Sequence, residues 1–234
     1  MKIKLLLLGV LILILASCGS SQRVGKTGAA KSAQQLVTLS DEQQRKYDYF
    51  FLEATRLKGK KEYDAAFDLL KHCLTINPQA ASALYEISQY YMFLKQVPQG
   101  QAALEEAVES APDNYWYSQA LASLYQQQNE KEKAIGLLET MATRFPGKRE
   151  SLFALLDLYN QQEDYGKVIG TLDRLEEIMG KNEQLTMEKF RIYLQMKDDK
   201  SAFREIENLV KEYPMDMRYQ VILGDVYMQN GKKQ

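Results

Sequence analysis

"ASALYEISQYYMFLKQVPQGQAALEEAVESAPDN", residues 81–114, is followed directly by "YWYSQALASLYQQQNEKEKAIGLLETMATRFPGK", residues 115–148, and the two align over 34 residues without a gap. Tyr91 falls on Tyr125, Gly100 on Ala134, Leu104 on Leu138 and Pro112 on Pro146. The same spacing runs outward in both directions. Tyrosines continue at Tyr159, Tyr193 and Tyr227, with Leu57 one period before Tyr91. Small residues recur at Ala66, Gly100, Ala134 and Ala202, with Val168 between the last two, beside an aliphatic column of Leu70, Leu104, Leu138, Leu172 and Ile206. Prolines fall at Pro78, Pro112, Pro146 and Pro214, and Gly180 takes the vacant place in that series. Four independent columns at one period mark stacked supersecondary units. Each unit holds two helix-period stretches around a polar turn, as in "LKGKKEY" and "YNQQEDY". Proline or glycine closes the second, because proline cannot continue a helix and glycine readily ends one.

A single helix pair is too small to bury its own apolar face, so neighbouring units must supply the missing surface. The tyrosine column is therefore read as packing between helices rather than as an aromatic ligand box. Helix pairs of 12 to 15 residues per helix with these columns resemble tetratricopeptide (TPR) repeats. The resemblance covers roughly 39–234 and implies an all-α, right-handed α-α superhelical solenoid of TPR helix pairs over 40–234. Five complete units start near Tyr47, Ala81, Tyr115, Arg149 and Glu183, with a partial sixth from Met217. In that family a small residue lets the two helices of a unit approach. Ala54, Ser88, Ala122 and Gly224 fit, whereas Leu156 and Phe190 predict splayed fourth and fifth pairs. Tyr63 and Tyr165 match the family's aromatic at the start of the second helix. Ser40 and Asp41 are read as the cap of the first helix, with Gln43 three residues on to answer Ser40.

Ahead of the repeats, Lys2 and Lys4 introduce an eleven-residue apolar run, Leu5 to Leu15. A membrane-spanning helix needs about 20 apolar residues, so the run is too short to span and has the layout of an export signal. "LASC", Leu15 to Cys18, resembles the lipobox of bacterial lipoproteins. The resemblance implies removal of residues 1–17, lipidation of Cys18, and a membrane attached only through that N-terminal lipid. More than one acyl chain is needed for stable attachment. The Gly, Ser, Ala and Gln that follow make residues 18–39 a flexible tether. "GKT" at Gly25–Thr27 is no phosphate loop: five residues separate Gly19 from Gly25, and no strand can precede it. Without residues 1–17 the chain keeps 28 basic against 31 acidic residues, a net charge near −3, which argues against nucleic acid. With Cys18 lipidated, Cys73 has no intramolecular disulfide partner.

The resemblance also places a groove. The family's concave face maps onto Phe51, Tyr85, Gln119, Phe153 and Met187. One turn on come Thr55, Gln89, Ser123, Asp157 and Arg191, then Lys58, Met92, Gln126 and Asn160. Trp116, the only tryptophan, projects near the same face. From these we take Phe51, Tyr85, Gln89, Met92, Trp116, Gln119, Ser123, Gln126, Phe153, Asp157 and Asn160 as the candidate partner-binding residues. Aromatics and glutamine stand where chaperone-tail binders of the family carry lysine, so their carboxylate clamp is absent. On this reading Tyr85 and Trp116 can both be removed without harm to folding, whereas Tyr125 cannot.

Catalysis finds little support. His72 and Cys73 are adjacent on a helix, so their side chains diverge by about 100° and cannot share a proton. Cys73 also belongs to the core column Ala107, Met141, Leu175 and Leu209. No Cys/His cluster has metal-ligand spacing. The expectation is a non-enzyme with no cofactor and no metal. It is read as a lipid-anchored adaptor of a Gram-negative, Bacteroidota-like envelope, holding a protein or peptide on the periplasmic face of the outer membrane. A glycan-binding lipoprotein of a polysaccharide-utilisation system and a structural spacer are the alternatives. The last stretch, "YQVILGDVYMQNGKKQ", is too apolar for a capping helix, so repeats are expected to continue past Gln234, the alternative being that this helix docks on a partner or a second copy.

Overall fold

A computed structural model describes residues 38–229 and 231. The signal segment, Cys18 and the tether as far as residue 37 lie outside the described residues. The rest is a run of helices: α1 (Asp41–Gly59), α2 (Tyr63–Ile76), α3 (Ala81–Phe93), α4 (Val97–Ser110), α5 (Tyr115–Gln127) and α6 (Lys131–Arg144). Then come α7 (Glu150–Gln161), α8 (Tyr165–Met179), α9 (Glu183–Gln195), α10 (Asp199–Glu212) and α11 (Met217–Gln229). Each helix packs on the one before and the one after it, the connectivity of a solenoid.

α1 starts six residues ahead of the first repeat at a capping box. Ser40 Oγ accepts the Gln43 N–H at 3.3 Å, and Gln43 Oε1 accepts the Ser40 N–H at 2.9 Å. Asn114, Asp164, Asn182 and Asp198 cap α5, α8, α9 and α10 in the same sense, satisfying N–H groups the first turn leaves unpaired.

The turn inside each pair is built identically. Lys61, Lys95, Asn129, Glu163 and Lys197 have φ between 55° and 66°, spaced by one repeat. The next N–H then reaches back to the carbonyl of the aromatic column: Gln96 to Tyr91 at 2.8 Å, Glu130 to Tyr125 at 2.8 Å, Asp164 to Tyr159 at 3.0 Å and Asp198 to Tyr193 at 2.9 Å. This left-handed cap closes the first helix and aims the chain into the second.

The core follows the columns. Ala66, Cys73, Ala107, Ala134, Met141, Val168, Leu175, Ala202 and Leu209 are fully enclosed. Tyr125 and Tyr159 are buried at the junctions of successive pairs, and their hydroxyls donate back to Glu105 at 2.8 Å and Glu139 at 2.9 Å. Gly100 marks the tightest approach within a pair: a Cβ there would stand 2.8 Å from Met92 Sδ and 3.2 Å from the Ser88 carbonyl oxygen.

One expectation about the pairs fails. α7 and α8, with Leu156, are open as predicted, but α9 and α10 stay close despite Phe190. Phe190 is buried with Ala202 and Ile206 of α10 and Tyr219 and Val226 of α11, so its ring is enclosed between its own pair and the next helix without splaying the pair. α5 and α6 are as open as α7 and α8 although Ala122 is small. Residue size at this one position does not set the spacing.

Candidate partner-binding face

Direct side-chain links join odd-numbered helices to one another at both ends of the solenoid. Tyr47 and Ser82 hydroxyls meet at 2.8 Å and Lys58 reaches Glu86 at 2.6 Å, both joining α1 to α3. Tyr85 stacks on Tyr117 across α3 and α5, with centroids 4.7 Å apart. Tyr219 donates to Glu183, joining α11 to α9. The even-numbered helices form the other layer.

On the odd face Trp116 is 67% exposed and Phe153 46% exposed. Gln89, Gln126, Asp157 and Asn160, on α3, α5 and α7, are exposed as well. Asn114 Oδ1 caps the backbone N–H of Trp116 at 3.0 Å and fixes where the indole leaves the helix. The Lys148 ammonium sits 5.7 Å from that ring and 5.1 Å from Tyr115. The result is an exposed indole with a cation at its edge.

The remaining candidates are partly spent on the protein itself. Phe51 stacks on Tyr47 with centroids 5.8 Å apart, and Gln119 accepts the Tyr115 hydroxyl at 2.9 Å. Ser123 is half-buried. Met92 packs over Gly100 inside its own pair, so most of it does not face a partner. Tyr85 corrects the sequence reading more sharply. Its stack on Tyr117 and its packing against the core make it a junction residue, and its removal cannot leave stability untouched.

Two concavities lie at the ends of this face. The first has a volume of about 210 Å³ and is lined by Lys58, Tyr63, Gln89, Tyr90 and Phe93, where the end of α1, the start of α2 and the second half of α3 meet. The second, of about 370 Å³, lies between α9 and α11 and is charged, with Glu183, Glu188, Arg191 and Arg218 on its walls.

Residues 57–122 match the tetratricopeptide repeat family. No curated protein matches the chain. A tetratricopeptide repeat protein from Parabacteroides merdae ATCC 43184 is similar over 80% of this chain and 75% of its own, at 20% identity and a TM-score of 0.53. YrrB, described as a TPR protein with an unusual peptide-binding site, is similar over 77% of this chain and 94% of its own, at 13% identity and a TM-score of 0.51. MamA AMB-1 gives 72% and 93%, at 18% identity and a TM-score of 0.51. The fold is a tetratricopeptide-type solenoid.

Within this TPR solenoid, the thiol–imidazole pair is dismantled. Cys73 is fully enclosed, with its Sγ 3.9 Å from the Tyr47 carbonyl oxygen, while His72 lies outside against Phe50. Burial pushes the Cys73 thiol up to about 11, so it stays protonated at neutral pH. Sequence reasoning missed Tyr90, which stands in the column of Leu124, Leu158, Ile192 and Val226 and is buried like them, and Phe93, whose column is otherwise Gln127, Gln161 and Gln195. It also missed Lys189, which stands in α9 where the repeat has Ile87, Leu121 and Leu155, and is only 5% exposed. Its ammonium is met by Asp173 at 2.5 Å and Glu176 at 2.7 Å, both from α8.

Proposed function

We propose that the protein is a lipid-anchored adaptor of a bacterial envelope that holds a protein or peptide partner on the face of its odd-numbered helices. The observation that carries this reading is the exposure of Trp116 and Phe153 on α5 and α7, helices that also expose Gln126 and Asn160. Large rings in water contribute little to the fold, and they are the residue types that dominate binding when an interface covers them. Exposed amides on the same helices supply donors and acceptors to an extended backbone. YrrB supports the reading to the extent that the same scaffold carries a peptide-binding site there. The anchor is proposed from "LASC", with Cys18 as the acylated residue. The outer membrane, on its periplasmic side, is proposed from the absence of an acidic residue in "GSSQR" directly after Cys18.

A photo-crosslinking residue placed at Trp116 or Phe153 should trap a partner in intact envelopes, and one at Thr140, exposed on α6, should not. Equal trapping at both positions, or none at Trp116 and Phe153, overturns the adaptor. Cys18→Ser should abolish fatty-acid incorporation, and protease added to intact cells should leave the wild-type chain uncut.

A further inference from the structure

α11 is apolar on two opposite sides, and the fold covers only one of them. Tyr219, Ile222, Leu223 and Val226 turn inward and pack with Phe190, Ala202 and Ile206. Half a turn round the helix, Met217, Val221, Gly224 and Met228 follow at helical spacing and line up in one stripe. Met217 is 67% exposed, Val221 59% and Met228 72%. A side chain at Gly224 would meet nothing within 4 Å, so the middle of the stripe is low and open. A helix with apolar residues on both sides calls for cover on both.

Charge flanks the stripe on one edge. Arg218 follows Met217, and Asp225 follows Gly224 two turns later. Asp216 and Glu183 hold Arg218 through Nε and Nη2, and its Nη1 carries two further N–H groups. Asp225 is exposed and has no ion-pair partner among the described residues.

We propose that this stripe docks on α11 of a second copy of the chain, antiparallel about a two-fold axis. In that arrangement Val221 of each copy lies over Gly224 of the other, where the missing side chain lets the two backbones approach. Met217 meets Met228 at both ends, and their flexible thioethers fill the space that remains. Residues on the same edge come together, so Arg218 faces the other copy's Asp225, and the symmetry makes the same pair a second time. A parallel pair sets glycine on glycine between larger layers and leaves a void there. Every group along the stripe thus finds its complement on a copy of itself.

Disulfide trapping tests the pairing and its direction. Full chains carrying Met217→Cys or Met228→Cys are oxidised separately and mixed, with wild type, which keeps Cys18 and Cys73, as the background. The mixture should cross-link at least about tenfold faster than either variant with itself, since an antiparallel two-fold contact joins unlike positions. Val221→Asp in both chains should remove the link and leave melting unchanged, because the position is exposed. Raising salt should slow the reaction for the parent pair and speed it when both chains carry Asp225→Lys, whose lysine faces the other copy's Arg218. Equal rates for like and unlike positions, no effect of Val221→Asp, or the same salt trend with Asp225→Lys overturns the proposal. A different protein, or a further stretch of the same chain, packed on α11 would leave the two cysteines unlinked and overturns it as well. Partner trapping at Trp116 reports on the adaptor separately, whatever α11 does.

Discussion

At the scale of single residues, strain and burial make opposite demands at neighbouring positions. Glu163 holds φ at 55° in the turn between α7 and α8, a conformation that costs a non-glycine residue roughly 1–2 kcal/mol. Glu163→Gly should therefore raise stability by about 0.5–1 kcal/mol, the relieved strain outweighing glycine's extra freedom in the unfolded chain. Urea melting of the variant checks it, and a fall in stability would show that the Glu163 side chain contributes a contact of its own. Tyr159 illustrates the burial demand. Its hydroxyl is desolvated and donates to Glu139, which together push its pKa from 10.0 up to about 12. A raised folded-state pKa means stability is fully present below pH 10.0 and is lost as pH climbs towards about 12. Thermal melts across that window should steepen for wild type and flatten for Tyr159→Phe. Tyr85→Ala should lower stability by about 1–3 kcal/mol, because it deletes half of a stacked pair together with partly buried apolar surface. Trp116→Ala, exposed, should change melting little and reduce partner trapping.

Between elements, the seam of α8 and α9 differs from every other. Lys189 enters it as a buried cation, and burial works against its charge. Hydrogen bonds to Asp173 and Glu176 outweigh that penalty and hold its pKa above the usual lysine value. Glu176 still has one buried oxygen without a partner among the described residues. Lys189→Met alone should destabilise by about 3 kcal/mol, since it strands the Glu176 carboxylate in a poorly hydrated seam. Lys189→Leu combined with Glu176→Leu should recover most of that loss or exceed wild type, because a packed apolar pair needs no desolvation to be offset. Urea titration of both variants decides the matter: if the double variant is less stable than Lys189→Met, the ion cluster is a net stabiliser.

For the molecule as a whole, solenoid energetics turn that seam into a boundary. Each helix pair touches only its neighbours, so stability is a sum of pair terms and junction terms. Three buried clusters run along the chain: one from α1 to α4, one from α4 to α9, and one of Phe190, Ala202, Ile206, Leu209, Tyr219 and Val226 in α9 to α11. The third is the smallest, and it meets the second in α9, whose Leu185 and Ile192 pack back across the Lys189 seam while Phe190 packs forward. Native-state hydrogen exchange should find α9, α10 and α11 opening at lower free energy than α3 to α6. Uniform protection from α3 to α11 would contradict a boundary at that seam.

How much of this was legible in advance depends on whether a repeat column was involved. The period, the pairing of helices, the buried Tyr125 and Tyr159 and the cap at Ser40 could all be read from the sequence, since each follows from side-chain periodicity and local hydrogen bonding that recur at every unit. So could the core position of Cys73. The departures were not legible, because they depend on which neighbour fills a given space. Phe190 was expected to push its own pair apart, yet small Ala202 on the partner helix and Tyr219 on the next one leave room for its ring. Met92 and Tyr85 sit on groove columns, yet one packs over Gly100 and the other over Tyr117. Lys189 occupies a core slot that only two carboxylates from the preceding helix make tolerable. Tyr90 stands in the buried column of Leu124, Leu158 and Ile192 while Phe93 falls among Gln127, Gln161 and Gln195, and their pocket exists only because α1 and α2 come to rest beside them. The sequence by itself determined what repeats; the tertiary structure decided everything that happens once.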